Sequence, residues 1–402
     1  MKKIPVILTI LFLCTLLVSC HKAGDVRTWS YGSYTVEGEF VELAENGTTV
    51  CIRKKDGNIV NIPLSKLSQA DQDYVKDSDR PIEGEPATLM LPNAPHAGDR
   101  VVLKVDNVEF AFRWCPPGKF VMGSPESEPG RRSTEKPHLV QLSKGFWMLE
   151  TEVTQAQWKV VMCTSLEEQA QKMLNDDTLY KFSSGEKTLR DYFGFKQNET
   201  SRTIHGKGDT YPIYYVNWHE SMEFCRRLSS YLNLCVQLPT EAQWEYACRA
   251  GSTMALPNGP IKIKGKCDAP ALDPIAWYGG NSSQGFVGTS PWNSSSWSAT
   301  QYPGGPCGAH PVGKKDANAW GLYDMLGNVW EWCYDYYDAA YYVRSPLSDP
   351  KNTTVSTGRV DRGGSWYDHA EYCRSAYRGE NAPDFRDDLL GFRVLLVPGQ
   401  EK

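Results

Sequence analysis

The 402-residue chain combines many large aromatic side chains with many glycines and prolines, and this combination restricts the folds that it can adopt. It contains 13 tryptophans and 21 tyrosines alongside 34 glycines and 25 prolines. Large rings need a core in which to be buried, whereas glycine and proline interrupt helices and strands at short intervals. The composition therefore predicts an irregular globular fold dominated by loops rather than a helical bundle, with length for two or three domains.

A short apolar segment at the N-terminus predicts export. Lys2 and Lys3 precede an apolar run over residues 4–18, which is too short for a spanning helix and is typical of a secretory signal peptide, residues 1–19. The ending LVSC resembles a bacterial lipobox, which implies cleavage before Cys20 and a lipid on its sulfur. The alternative is an ordinary cleaved leader followed by a chance cysteine. An aspartate directly after the lipidated cysteine would suggest retention in the inner membrane, but His21 stands there. We therefore expect an exported, membrane-anchored lipoprotein of the outer membrane or cell surface.

The charge balance argues against nucleic acid as a partner. The formal net charge is -5 at pH 7. Binding to phosphate backbones requires a basic face, which a mildly acidic chain is not expected to offer. We expect contact with a membrane through the lipid anchor instead.

Ten cysteines remain when Cys14 of the leader and Cys20 are set aside. An even number in an exported chain permits disulfides, and the sequence leaves their connectivity open. No CxxC pair occurs, which argues against a zinc site made of thiolates. The ten are Cys51, Cys115, Cys163, Cys225, Cys235, Cys248, Cys267, Cys307, Cys333 and Cys373.

The chain divides into a small N-terminal unit and a large C-terminal domain. Residues 27–75 contain short, partly alternating apolar runs separated by turn dipeptides, which predict strands and hairpins. RTWSYGSYTVEGEFVELAENGTTVCIRKKDGNIVNIPLSKLSQADQDYV resembles the Sla-type homology domain, which implies a small SH3-like β-barrel acting as a spacer or protein-binding module. Residues 20–26 would form a tether. Residues 76–98, with four prolines, predict a mobile linker to the domain at 99–397.

Seven ordered motifs in the large domain indicate its family. FVMGS, ETEVTQAQW, VNWHES, LPTEAQWEYACRAG, WGLYDMLGNVWEW, RGGSW and GFRV resemble the formylglycine-generating enzyme, or sulfatase-modifying-factor, family. The resemblance implies an irregular α+β fold with a C-type-lectin-like core. Family members oxidise a cysteine of client sulfatases to formylglycine with copper and oxygen, whereas others are sulfoxide synthases or noncatalytic binding proteins. The fold does not decide among these activities.

The resemblance places the candidate catalytic residues after the double glycine. Oxidising members carry two cysteines five positions apart there, and soft thiolate pairs suit Cu(I). The second position is Cys373, the first is Asp368, and Ser365 matches the family serine. His369 adjoins the missing thiol, but neighbouring residues on an extended chain point to opposite faces. From the sequence, Cys373 is an active thiol, half of a disulfide within the set Cys225, Cys248, Cys333 and Cys373, or a buried unpaired cysteine.

A calcium site is predicted in the GLYDMLGNVWEW loop. By resemblance, Asp324 and Glu331 would give side-chain oxygens, and Gly327 and Val329 would give backbone carbonyls, the type of ligand that calcium prefers. The alternative is a structural turn in which tryptophans fill the core and Asp324 caps backbone amides.

Two functions from different classes remain open. The region between RGGSW and GFRV resembles the variable region of lectin-fold proteins diversified by retroelements, which implies a binding face for a protein or carbohydrate ligand. The other candidate is a copper- and oxygen-dependent oxidase that acts on exported sulfatases. Residues 164–209 are predicted to form a surface insertion. The candidate ligand contacts are Trp366, Tyr367, Asp368, His369, Glu371 and Tyr372.

Overall fold

A computed structural model describes residues 27–79, except 33, 44–48 and 55–58, and residues 91–398, except 93–94, 198 and 289–291. The predicted signal peptide, Cys20, the tether and most of the linker lie outside these residues. The described residues fall into two compact units, one on each side of the linker. Within the same ranges, no helix has both the length and the apolar character needed to cross a membrane.

The N-terminal unit is a four-stranded antiparallel meander followed by one helix. Trp29 and Val75 are among the side chains that form its buried core. Ser68 caps the helix, because its Oγ accepts a hydrogen bond from the backbone N–H of Asp71 at 3.2 Å. The unit is therefore β-rich, as predicted. Its elements are β1 (Arg27–Tyr31), β2 (Tyr34–Leu43), β3 (Thr49–Lys54), β4 (Ile59–Pro63) and α1 (Gln69–Asp79).

The large unit contains six helices and seventeen strands among its described residues, most of them short. The helices are α2 (Gln155–Met162), α3 (Leu166–Asn175), α4 (Leu189–Phe193), α5 (Trp218–Leu232), α6 (Glu241–Arg249) and α7 (Tyr341–Arg344). The strands are β5 (Arg100–Val105), β6 (Val108–Cys115), β7 (Gly118–Met122), β8 (His138–Leu142), β9 (Phe146–Leu149), β10 (Tyr180–Phe182), β11 (Gly185–Lys187), β12 (Cys235–Gln237), β13 (Ala276–Trp277), β14 (Trp292–Asn293), β15 (Pro306–Cys307), β16 (Leu326–Gly327), β17 (Trp330–Tyr336), β18 (Arg359–Arg362), β19 (Gly379–Asn381), β20 (Leu390–Gly391) and β21 (Leu395–Val397).

Two sheets dominate this unit. One has five strands in the order β12-β21-β9-β6-β5, and the other has four in the order β19-β18-β17-β20. The last strand, β21, lies between β12 and β9 and is antiparallel to both, with Leu395 opposite Met148. The end of the domain thus closes the sheet that its first strands begin. The irregular α+β class predicted from the sequence is confirmed.

Local sequence signals explain where the main helices begin. Thr240 of the LPTEAQW motif accepts a hydrogen bond from the N–H of Gln243, whose side chain accepts from the N–H of Thr240 in return, which forms a capping box at the start of α6. Thr154 and Asn217 start α2 and α5 in the same way. Helix α5 buries Phe224, Cys225 and Leu228, whose spacing places them on one face of the helix.

Buried arginines fasten the C-terminal loops to the rest of the domain. Arg362, at the end of β18, donates at 2.7 Å to both Glu241 and Glu245 of α6. Arg374 donates to Glu135 at 2.7 Å, and both side chains are fully buried. Removing one partner of such a pair strands the other charge and costs about 3–5 kcal/mol. These ion pairs therefore hold both the end of β18 and the loop that follows it in place.

The predicted surface insertion contributes to the core. Within residues 164–209, α3 buries Leu166, Met173 and Leu174, and these side chains belong to the same apolar cluster as Trp158. The predicted surface insertion therefore also carries buried side chains, because its helix is amphipathic. The charged residues that prompted the prediction lie on the other faces of this segment.

Candidate functional site

The loop after β18 folds back on itself through the double glycine. Gly363 and Gly364 have φ angles of +101° and +77°, which residues other than glycine rarely adopt. A Cβ on Gly364 would lie 2.7 Å from the Sγ of Cys373, so the close approach of loop and thiol requires glycine. The Trp366 N–H donates to the Asn328 carbonyl at 2.9 Å, which joins this loop to the WGLYDMLGNVWEW segment.

Asp368 is half-buried, and its carboxylate is held by two donors. Its Oδ2 accepts hydrogen bonds from the Ser365 hydroxyl at 2.5 Å and from the Trp330 indole N–H at 2.7 Å. Burial raises the pKa of Asp368 to about 6, against the effect of these hydrogen bonds, which lower it. The structure therefore brings together Asp368 and Ser365 as the sequence frame implies, with the carboxylate already bonded to protein groups.

Cys373 is a fully buried free thiol. Burial raises its pKa well above the ordinary value for a thiol, and the nearby Asp368 and Cys267 raise it further. A thiol in these surroundings stays protonated at neutral pH, whereas a nucleophile or a metal ligand must be a thiolate. Of the three interpretations left open by the sequence, the structure excludes the disulfide, and the buried surroundings of Cys373 agree best with the unpaired cysteine.

The expected disulfides within the set that includes Cys373 are not formed. Cys225, Cys248 and Cys333 are free and buried like Cys373. Burial raises the pKa of Cys248 to about 12. Cys163 is disulfide-bonded. The interior cysteines of this domain therefore act as small packing residues.

The six predicted ligand contacts do not share one exposed face. Trp366 is only 1% exposed and packs in the core, so its prediction as a ligand contact is corrected. Asp368 is half-buried, and its Oδ2 accepts from the Trp330 indole N–H. Glu371 forms an ion pair with Arg132 at 2.9 Å, and His369 stacks on Tyr372 with 5.8 Å between ring centroids. Tyr367 is 39% exposed and points to the opposite side from the core. The sequence does not show which large side chains of this loop fill the interior, and the burial of Trp366 could therefore not be predicted from it.

Tyr367 forms one wall of a cleft with a volume of about 670 Å³. Trp297 meets the Tyr367 ring nearly at right angles with 4.7 Å between centroids, and Trp292 does so at 5.8 Å. The sequence reasoning missed both tryptophans, although two such rings within the polar stretch SPWNSSSWS were a usable signal. The cleft is lined by Phe195, Arg202, His205, Trp292, Asn293, Ser296, Trp297 and Tyr367.

In the predicted calcium loop, the two carboxylates differ in their bonding. Glu331 is saturated: Arg393 donates to both of its oxygens at 2.6 and 2.7 Å, and the Trp244 indole N–H donates at 2.7 Å. Asp324 accepts from the Gly313 N–H through Oδ2 at 2.6 Å, while its buried Oδ1 has no partner. The capping role of Asp324 and the burial of tryptophan in this loop thus agree with the structural alternative, and the unpartnered oxygen leaves a place for a cation.

Glu152 is a further residue of this region, and the sequence reasoning missed it. It is fully buried, and both of its carboxylate oxygens lack a hydrogen-bond partner. Burial raises its pKa well above the ordinary value, and repulsion from Asp324 is the next largest cause. No cluster of three or more His, Cys, Asp or Glu side chains that could hold a metal ion occurs in the described parts of the chain. A hard cation here would therefore need backbone oxygens in addition to Asp324 and Glu152.

Comparisons with known proteins agree with this geometry. The family model described as "Sulfatase-modifying factor enzyme 1-like domain" matches residues 108–397, and "SLA1 homology domain 1" matches residues 20–81. The formylglycine-generating enzyme of Streptomyces coelicolor is 31% identical over 203 residues, covering 50% of this chain and 55% of that protein. The inactive C-alpha-formylglycine-generating enzyme 2 of Bos taurus is 30% identical over 200 residues, covering 47% and 52%. The chain spans about half the length of the curated relatives that it matches.

Solved structures show the same fold. Treponema denticola variable protein 1 aligns with a TM-score of 0.52 and 26% identity, covering 74% of this chain and 99% of that one. PvdO from Pseudomonas aeruginosa aligns with a TM-score of 0.54 and 24% identity over 76% of this chain and all of that one, a likeness of fold alone. Because the matched residues 108–397 form more than half of the chain, the protein belongs to the sulfatase-modifying factor enzyme 1-like domain family and carries an SLA1 homology domain 1 at its N-terminal end.

Proposed function

We propose that the large domain is a ligand-binding module that does not carry out two-thiolate copper oxidation. The observation that supports this most directly is the bonding of Asp368 to Ser365 and Trp330, at the position where the family resemblance implies a thiolate. The matched relatives bear names of both formylglycine-generating enzymes and inactive paralogues, so membership of the family is compatible with either activity.

The chemistry of the site disfavours copper. A carboxylate is a hard ligand, and Cu(I) prefers soft sulfur. Cys373 alone remains as a sulfur donor in the motif, and its raised pKa keeps it protonated. Binding Cu(I) would also require Asp368 to release the indole N–H of Trp330, which would then be a buried donor without an acceptor, at a cost of about 1–3 kcal/mol. The motif residues Asp368 and Cys373 therefore do not fit a two-coordinate copper ion.

The second candidate function is formylglycine generation on exported sulfatase clients. It is favoured by the retention of Ser365 and Cys373 in the family frame, both fully buried beneath the loop. To separate the two functions, reduced and copper-loaded protein is incubated in air with a Cys-x-Pro-x-Arg peptide, and the peptide mass is followed. We expect no conversion by the natural chain. Conversion that disappears in Cys373→Ser would overturn the binding-module proposal.

We propose that calcium binds at Asp324 and Glu152, with the carbonyls of Gly327 and Val329 as further ligands. The support is the pair of buried, unpartnered carboxylates. The resemblance implied Glu331 as the second carboxylate ligand. Because Glu331 forms an ion pair with Arg393, we expect it to be a weaker ligand than Asp324 and Glu152. When bound, calcium would balance the negative charge that these groups otherwise bury.

We also propose that the protein is exported and held at a membrane by a lipid on Cys20. The support is the leader of residues 1–19 and its LVSC ending. The ligand would then be met outside the cytoplasm, at the outer membrane or cell surface, at a distance set by the tether and linker.

A further inference from the structure

The cleft beside Tyr367, lined by the residues given above and here named the aromatic cleft, exposes large rings to solvent. Trp292 is 38% exposed and Tyr367 is 39% exposed. Exposed tryptophan and tyrosine concentrate at binding surfaces, because each combines a large apolar face with a polar edge. Trp292 and Trp297 stand at 80° and 83° to Tyr367, so the three rings present faces in different directions around one space.

Polar groups alternate with these rings, and the charges among them are balanced. Arg202 lies 2.8 Å from Glu199, and His205 lies 3.5 Å from Asp388. Burial raises the pKa of Asp388, which reduces negative charge behind the cleft. Asn293 and Ser296 add an exposed amide and hydroxyl at the rim. The cleft thus offers hydrogen-bonding groups without an excess of either charge.

This combination discriminates among ligand classes. A purely apolar ligand would leave the polar groups of the wall desolvated and unpaired. A charged ligand would find no side chain of opposite charge in the wall that lacks an ion-pair partner of its own. A peptide bound as an added strand needs a long open edge, and the strand lining the cleft, β14, has two residues. Sugar rings match the walls, since they carry apolar C–H faces that stack on aromatic rings and hydroxyls that bind amide, hydroxyl and guanidinium groups.

We propose that the aromatic cleft binds a neutral oligosaccharide, with Trp292, Trp297 and Tyr367 stacking on its rings. The inference rests on the proposed binding function and names its ligand class. The cleft volume of about 670 Å³ is within the range of small-molecule sites, about 300–1,000 Å³. It exceeds what one sugar ring fills, so a chain of rings is the fitting occupant.

The test uses the purified full chain in detergent and a printed array of neutral, sulfated and sialylated glycans, followed by tryptophan-fluorescence titration. The titrants are cello-, malto-, manno-, xylo- and N-acetylchitotetraose together with any array hit. We expect saturable binding of at least one neutral glycan, insensitive to salt. Trp292→Ala, Trp297→Ala and Tyr367→Ala should each weaken binding about fivefold or more, the size of a lost aromatic contact, and Trp292→Phe should retain most of it.

The matched control is Tyr34→Ala, which removes a ring that is 68% exposed in the other unit and should leave binding unchanged. Melting curves confirm that each variant is folded. The inference is overturned if no neutral glycan binds, if the three variants bind as the natural chain does, or if only charged glycans or a peptide library bind. Peptide oxidation in the separate copper assay would contradict the proposed function without altering this titration, so the two failures are distinguishable.

Discussion

At the scale of single residues, hydrogen bonds within the domain hold one carboxyl group of β18 and one of the loop that follows it. Asp368 accepts from Ser365 and Trp330, and Asp361 accepts from the Asn381 amide at 2.8 Å. The sequence frame predicts that Asp368 occupies a position of the family motif. It gave no sign that Trp330, 38 positions earlier, would donate to it, because that contact depends on how β17 and β18 pair.

Asp361 gives a prediction about pH. It is 1% exposed, and burial raises its pKa to about 8. Since the folded-state pKa lies above the unfolded value, its contribution to stability is present below about pH 4 and is lost as the pH rises through 8. Asp361→Asn keeps an acceptor for Asn381 without the charge. We expect the melting temperature of the natural chain to fall from pH 5 to 9 and that of the variant to fall less, ending several degrees higher at pH 9.

The control for this measurement is the exposed Asp209→Asn, which should follow the natural curve. Parallel curves for the natural chain and Asp361→Asn would show that Asp361 is solvated in the folded protein.

At the scale of elements, sequence signals predicted those parts whose cause is local. The capping box at Thr240 and the apolar face of α5 were both readable, since they depend on residues three or four apart. The aromatic cleft was not, because its walls come from residues 195–205, 292–297 and 367. Such a site depends on long-range packing, which local periodicity does not encode.

The loop at residues 324–331 and the segment after β9 give the calcium prediction. We expect calcium to raise the melting temperature of the natural chain and chelator to lower it, since an ion at 100 times its dissociation constant contributes about 2.7 kcal/mol. Asp324→Asn combined with Glu152→Gln should abolish this response. In chelator the same variant should be at least as stable as the natural chain, because it removes two buried carboxylates whose pKa values burial raises.

Glu186→Gln, at an exposed position, is the matched control and should respond to calcium like the natural chain. A natural chain whose melting temperature is the same in calcium and in chelator has no such site.

At the scale of the whole molecule, the proposed lipid on Cys20 predicts where the protein resides. Cys20→Ser should move the protein from the membrane fraction to the soluble fraction, because a leader without an acylated cysteine leaves no anchor. Fractionation of cells followed by immunoblotting measures this, with Cys14→Ser, inside the leader, as the control that should stay in the membrane fraction. Retention of the Cys20 variant in membranes would contradict lipid anchoring.

We propose that this member of the family keeps the fold of the domain but lacks a two-thiolate copper site. The most direct measurement is Cu(I) binding by reduced protein in competition with a chromophoric chelator such as bicinchoninate. We predict that the natural chain and Cys373→Ser bind Cu(I) equally weakly, and that Asp368→Cys gains about one tightly bound Cu(I) per chain. A natural chain that binds one Cu(I) tightly, and loses it in Cys373→Ser, would contradict the account.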